Sequence, residues 1–328
     1  MIQILTYNEI NKQQWQLLIE QSATATWFQT PEAYQFYASV PDEMKPFAVG
    51  VQCDNKLVGV CVGYITQTKN PLKQFFTRRA IIVGGPLLDE NITADALSAL
   101  LKATRRLGDK AIYIETRNFH DYSRWKSVFE SIGFAYQEHY DIHVHCDAQH
   151  QISERRQREL KRAIKNGATV AQAQSEQEIR DWYQILHRLY REKVRTPLFS
   201  EDFFLQFYRN GVGKYLLVKY QGKIIGGMMC PVLKGKAVYE WYVCGMDEDY
   251  REQYPSVVAT HAAIEYAKDH NLPLFDFMGA GVPDQPYGVR DFKMEFGGEL
   301  KEFGRFLCIR KPLLYWIGKM GVKWLKRK

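Results

Sequence analysis

Residues 247–277 read Asp247-Glu-Asp-Tyr250-Arg251-Glu-Gln-Tyr254-Pro-Ser256, then VVATHAAIEYAKDHNLPLFDF. The order is a strand end, a tight polar loop, an amphipathic helix and a second strand. The start of such a helix presents free backbone N–H groups and the positive end of its dipole. That makes it a seat for an anion. Here the seat is flanked by Tyr254 and Ser256, whose side chains limit how closely an anion can approach.

The rest of the chain repeats this layout. Phe47-AVGVQCDNKLVGVCVGYI and Tyr215-LLVKYQGKIIGGMMCPVL are each an apolar run, a polar turn and a second apolar run. Both are β-hairpin signals, and they lie about half the chain apart. Each is followed by a further strand (AIIVGG from Ala80; AVYEWYVCG from Ala237) and a helix (ADALSALLKATRRLG; PSVVATHAAIEYAKDHN). Next come a strand (AIYIETR; PLFDFMG) and a short helix ending near glycine (WKSVFESIGF; VRDFKMEFGG). The same order in both halves predicts a duplicated α/β (α+β) fold with mixed central sheets flanked by helices.

The boundary is expected near residue 150, giving domains at 1–150 and 151–311. A dense basic helix, RRQRELKRAIK at 155–165, opens the second. Its charges either solvate one face of a connecting helix or meet a nucleic acid. Residues 312–328, starting at Pro312, carry Leu313, Ile317, Met320 and Trp324 at helical spacing with lysines on the other flanks. Such a helix either packs back on the first domain or lies on a membrane face.

Composition bounds the function. The chain has 328 residues, 46% hydrophobic and 25% charged, which are globular values. Its net charge of +7 and pI of about 8.9 suit an anionic partner. No apolar run is long enough for a transmembrane span. The opening MIQILTYNEINKQQW lacks the features of a signal peptide. Cys53, Cys61, Cys146, Cys230, Cys244 and Cys308 form no C-x-x-C pair, as expected of reduced thiols in a cytoplasmic protein. His139, His143, His145 and Cys146 invite a zinc reading. On a strand, however, Asp141, His143 and His145 share one face and Cys146 points away. No second cluster completes a site, so no metal is expected. There is no G-x-S-x-G, Walker loop or H-E-x-x-H, and hydrolase, NTPase and metalloprotease readings have no support.

The 247–277 layout resembles the acyl-CoA loop of GCN5-related N-acyltransferases (GNAT folds). In that loop R/Q-x-x-G-x-G/A cradles a pyrophosphate; Tyr254 and Ser256 replace its glycines here. Two such domains in tandem resemble the FemABX family, which transfers amino acids from aminoacyl-tRNA to peptidoglycan precursor peptides. Several segments carry the likeness: Trp27-Phe-Gln29-Thr-Pro-Glu, Gly84-Gly-Pro-Leu-Leu-Asp89, Leu160-Lys-Arg-Ala-Ile-Lys165 and Asp276-Phe-Met-Gly279. The most specific is Tyr287-Gly-Val-Arg290-Asp-Phe-Lys293-Met-Glu-Phe296-Gly-Gly298-Glu-Leu300. Arg195-Thr196-Pro197 is similar to a segment of FemAB-like acyltransferases linked to envelope polysaccharide systems.

The resemblance implies roles. Lys293 would stabilise the oxyanion formed when an amine attacks an ester or thioester; otherwise it is a surface lysine on a short helix. Glu240 would accept the amine's proton and Tyr242 would position the acceptor. Period 2 puts Tyr239 and Trp241 on one face and Glu240 and Tyr242 on the other, and aromatic core with one paired carboxylate is the alternative. Arg251, Tyr254, Ser256, Asp276 and Arg290 would meet the donor, with Tyr254 either stacking on a terminal adenine or filling the old pocket. Trp27, Gln29, Arg195 and Tyr239 would line the acceptor. The implied donor is a charged tRNA, with no tightly bound cofactor, and the acceptor a cell-envelope precursor. The expected location is the cytoplasm or its inner membrane face, with no role for DNA. Acyl-CoA as donor to a sugar or peptide amine, and a non-catalytic envelope scaffold, are the alternatives.

Overall fold

The computed structural model describes residues 1–147 and 149–325. The chain forms two compact units, residues 1–139 with 302–328 and residues 140–301. The boundaries differ from the expected division near 150 and 311, and the reason lies in strand pairing.

The first unit's sheet runs, in spatial order, Ile2–Thr6, Met44–Cys53, Lys56–Thr66, Arg79–Gly84, Tyr113–Asn118, Arg305–Ile309 and Ala135–Gln137. The second runs Thr169–Gln172, Gly213–Tyr220, Lys223–Leu233, Ala237–Tyr239, Leu274–Asp276, Tyr140–His145 and Glu299–Glu302. The orders match position by position. The sixth strand, however, is exchanged: Arg305–Ile309 completes the first sheet and Tyr140–His145 the second. Each half of the duplicated sequence therefore donates one strand to the other unit. The expected boundaries missed this because no local signal names a strand's distant partner.

Local signals were reliable elsewhere. The hairpin turns have left-handed backbone at Asp54-Asn55 (φ 47° and 66°) and Gln221-Gly222 (φ 49° and 77°), the geometry of two-residue turns that follow strand twist. The helix Ala94–Leu107 buries Leu97, Leu100 and Leu101 in the first core. Its counterpart Pro255–Asp269 buries Val257, Ala259, Ala263, Ile264 and Ala267 in the second. The basic helix spans Glu154–Lys165. Cys61, Cys230, Cys244 and Cys308 are buried and Cys53 and Cys146 half-buried, all as free thiols.

The last helix, Pro312–Leu325, belongs to the first unit, where Tyr315 lies edge-on to Tyr113 at 5.5 Å. Leu313, Ile317 and Met320 nevertheless face solvent. The Trp324 side chain and residues 326–328, the rest of the expected amphipathic segment, lie outside the described residues. Among the described residues no helix is long and apolar enough to cross a membrane.

Candidate active site

In the second unit Ala237–Tyr239 runs parallel to Leu274–Asp276, with Tyr239 opposite Asp276. The Glu240 N–H still donates to the Asp276 carbonyl at 2.9 Å. Beyond that point Tyr242–Gly245 stays with Gly226–Met229, and the sheet opens. Backbone groups that leave a sheet must find other partners. Lys293, on the short helix Gly288–Met294, supplies them. Its Nζ donates to the carbonyls of Phe277 (2.8 Å) and Gly279 (2.9 Å). It also pairs with Glu240 Oε1 at 2.9 Å. An ammonium has three hydrogens, and these three acceptors use them all. Lys293 and Glu240 are both buried. Burial pushes the Glu240 carboxyl up from its ordinary pKa, while Lys293 pulls it back and Asp276 adds to the rise. An oxyanion bonded directly to Lys293 has to displace one of these acceptors.

A second group lies on the neighbouring strands. Asp141 Oδ1 accepts from the N–H groups of Ile142 (2.8 Å) and Gly279 (2.7 Å), and Asp276 Oδ1 from Met278 (2.6 Å). The other oxygens turn toward His143 Nε2, at 4.0 Å from Asp141 and 3.4 Å from Asp276. One Nε2 hydrogen serves only one of them. Burial and the nearby Asp276 raise the Asp141 pKa well above the usual carboxylate range. Burial opposes a charge on His143, but Asp276 and Asp141 outweigh it and raise its pKa. The three ligand atoms lie within 4.8 Å of one another, so the trio can share a proton or hold a cation. Sequence reasoning put Asp141 and His143 on one face but found nothing to complete a cluster. The antiparallel register that sets Asp276 opposite His143 completes it. The other members of the zinc reading are elsewhere: His139 bonds Arg305 in the first unit, and His145 lies 3.8 Å from Glu299.

The loop before the helix Pro255–Asp269 has a carboxylate of its own at the anion seat. Asp247 Oδ1 accepts the Ser256 N–H at 3.1 Å and its Oδ2 accepts the Ser256 hydroxyl. Gly245 permits this approach, since a Cβ there would lie 2.6 Å from the Ser256 nitrogen. Tyr254 takes left-handed backbone (φ 43°) at the helix start and packs partly buried against the core. Arg251 is exposed. The loop's other acids pair outward: Glu248 with Lys193 (2.7 Å), Asp249 with Arg188 (2.8 Å) and Glu252 with Arg162 (2.5 Å).

The basic helix spends much of its charge within the protein. Arg155 and Arg156 both pair with Glu159 and Glu295, Arg158 with Glu154, and Arg162 with Glu252. Arg156 is buried over the rings of Phe292 (4.3 Å) and Phe296 (5.4 Å). The closing signature is thus largely a packing device. Gly297 has φ 74°, and a Cβ there would lie 2.0 Å from the Gln151 carbonyl oxygen. Arg290 clips the chain after Asp276, donating from Nε to the Ala280 carbonyl at 2.8 Å and to that of Val282.

The strand break changes which face two aromatic residues occupy. Trp241 and Tyr242 were expected on opposite faces, but the interruption between Tyr239 and Tyr242 breaks the alternation. Both meet Phe203, at 5.4 and 6.2 Å, and stack on each other at 6.1 Å. Tyr239 is buried. Arg195 is exposed, with left-handed backbone at the end of the turn Tyr190–Val194. Trp27 and Gln29 are buried in the first unit. Gln29 Nε2 donates to the carbonyls of Gly84 (3.1 Å) and Gly85 (3.0 Å), and its Oε1 accepts from Thr26 N–H at 2.8 Å. The F-x-Q and G-G-P motifs therefore hold each other, and Gln29 has no polar group left over for an acceptor.

Comparison with known proteins agrees with this architecture. Residues 153–294 match the acetyltransferase (GNAT) domain model. Among solved structures, FemX superposes with a TM-score of 0.72 at 15% identity, covering 96% of this chain and 100% of FemX. L-PGS from Bacillus licheniformis gives 0.60 at 13% identity, covering 94% and 96% of the two chains. A tandem GNAT protein from the clavulanic acid biosynthesis pathway gives 0.58 at 11%, covering 94% and 98%. No curated protein matches the sequence. The chain has a FemABX-like tandem GNAT fold, and its matched domain is of the acyltransferase class.

Proposed function

We propose that the protein transfers an aminoacyl group from a charged tRNA to an amine of a peptidoglycan or other cell-envelope precursor. The observation that carries this reading is the Asp247 carboxylate on the Ser256 N–H. A CoA donor places a pyrophosphate at this helix start in GNAT folds, where it would meet a like charge. An aminoacyl ester does not depend on that seat. The resemblance of Phe292-Lys293-Met-Glu-Phe296-Gly-Gly298 to the FemABX closing signature points the same way.

The chemistry belongs at the opening of the second sheet. As the acceptor nitrogen bonds to the acyl carbon, its proton passes to Glu240, whose pKa burial raises above the ordinary carboxylate value, making it a stronger base. The C–O bond of the ester then breaks and the proton leaves with the tRNA hydroxyl. Lys293 holds Glu240 in place and lends its charge to the oxyanion through a poorly solvated space. Tyr242 and Trp241 flank the acceptor, and the exposed Arg195 and Arg251 are the cations offered to the two substrates.

The GNAT domain match favours one rival, CoA-dependent N-acylation of a sugar or peptide amine. Thermal-shift assays separate the two, because only a ligand of the folded state stabilises it. Stabilisation by aminoacyl-tRNA and not by acetyl-CoA is expected. Stabilisation by acetyl-CoA alone overturns the reading. A non-catalytic scaffold would yield no transferred label from either donor.

A further inference from the structure

We infer that one face of the first unit, built by the helices Pro71–Thr77 and Pro312–Leu325, docks on the surface of an anionic lipid membrane. The inference is independent of the acyl-transfer reading. The two helices pack against each other, and Lys311 Nζ lies 5.6 Å from the Phe75 ring centroid. Between them they hold out Leu72 (70% exposed), Phe75 (53%), Leu313 (75%), Trp316 (57%), Ile317 (49%) and Met320 (67%). Single exposed apolar residues are ordinary, but several large ones gathered on two touching helices mark an interaction surface. Tyr315 pins the longer helix to Tyr113 from behind, so the exposed stripe is the helix's outer side.

Charge selects the occupant. Residues 67–79 contain Lys69, Lys73, Arg78 and Arg79 and no acidic residue. Residues 303–328 contain eight lysines and arginines and, again, no acidic residue. Lys319 lies over the Trp316 ring at 5.3 Å, a pairing of cation and aromatic ring suited to the headgroup level of a bilayer. A second copy of the chain would bring the same positive charge against this face. A nucleic acid would leave Leu313, Ile317 and Met320 unburied. Lys69, Arg305 and Arg310 pair with Asp42, Glu115 and Asp109, but Lys311 and Lys319 stand beside the exposed apolar side chains, and such a face fits a bilayer carrying anionic headgroups. The 14-residue helix is too short to span the bilayer and has the length to lie along it.

The test is flotation of the full-length protein with vesicles of phosphatidylcholine alone or mixed with phosphatidylglycerol. Wild type is expected to float with the mixed vesicles, and at least tenfold less with phosphatidylcholine alone or at high salt. Leu313→Asp with Phe75→Asp should abolish flotation, and Lys319→Glu should weaken binding to the mixed vesicles. All three sites are exposed, and an unchanged melting temperature will verify that the variants fold. Failure of wild type to float with mixed vesicles overturns the inference, as does flotation that survives the double substitution. Concentration-dependent self-association lost in the same variants, without flotation, assigns the face to a second copy and also overturns it.

Discussion

Asp247 accepts the amide hydrogen of Ser256 at 3.1 Å, so a carboxylate from the chain stands at the start of the helix Pro255–Asp269. It does two jobs. It satisfies one of the helix's free N–H groups, and it occupies the position where an anionic ligand would gain most from the dipole.

Replacing this carboxylate separates the two jobs. Asp247→Ala should cost about 1 kcal/mol of stability, as loss of a helix cap does. It should also raise affinity for inorganic phosphate or CoA. Urea unfolding measures the first effect and calorimetric titration the second. A variant that loses stability and gains no affinity for either anion would mean that Tyr254, not Asp247, closes the seat.

The Lys293–Glu240 pair predicts unequal outcomes for its two members. Lys293→Ala leaves a buried carboxylate and two carbonyls without a donor and should cost about 3–5 kcal/mol. Glu240→Gln keeps an acceptor for Lys293 and should cost less, while lowering the transfer rate about 100-fold if Glu240 takes the proton. Denaturant unfolding beside single-turnover kinetics makes the comparison. Equal losses of stability with unaltered chemistry would reduce the pair to a structural staple.

Protonation of the Asp141–His143–Asp276 group gives a pH signature. Asp141 has its folded pKa raised above the unfolded value, by burial first and then by Asp276. Such a group binds its proton more tightly in the folded state. Its contribution is therefore complete below the unfolded pKa, 3.8, and is lost as pH rises through the folded value. Asp141→Asn can keep the bonds from Ile142 and Gly279 without the charge. The variant should thus gain stability relative to wild type as pH rises from about 4 toward neutrality. Melting curves of both proteins across this range test it, and a difference that stays flat or reverses contradicts the assigned shift.

Gln29 should behave as a structural residue. Gln29→Ala removes donors from two carbonyls in a buried site and should cost about 2–3 kcal/mol. Once folded, the variant should keep the wild-type KM for the acceptor. A raised KM with unchanged stability would return Gln29 to the acceptor role that its motif suggested.

These outcomes trace what sequence alone discloses. The duplication was legible because a hairpin is announced by its turn, as at Asp54-Asn55 and Gln221-Gly222. The exchange of Tyr140–His145 and Arg305–Ile309 was not, since both strands look alike to any sheet with an unfilled place. Lys293 and Glu240 were each singled out by residue type and motif. Their mutual pairing, and the carbonyls of Phe277 and Gly279 that complete it, depend on where the sheet opens. Asp276 was seen as a strand end, but its place opposite His143 is a matter of register across 133 residues of chain. Alternation failed at Tyr242 for the same reason that the opening exists, because the strand is interrupted there.

The central claim is most directly tested by offering the protein radiolabelled charged tRNA and radiolabelled acetyl-CoA in parallel, with envelope-precursor amines as acceptors. Wild type should transfer label from the aminoacyl ester, Glu240→Gln should transfer far less, and neither should transfer label from acetyl-CoA. Label arriving from acetyl-CoA with none from the charged tRNA would contradict the claim.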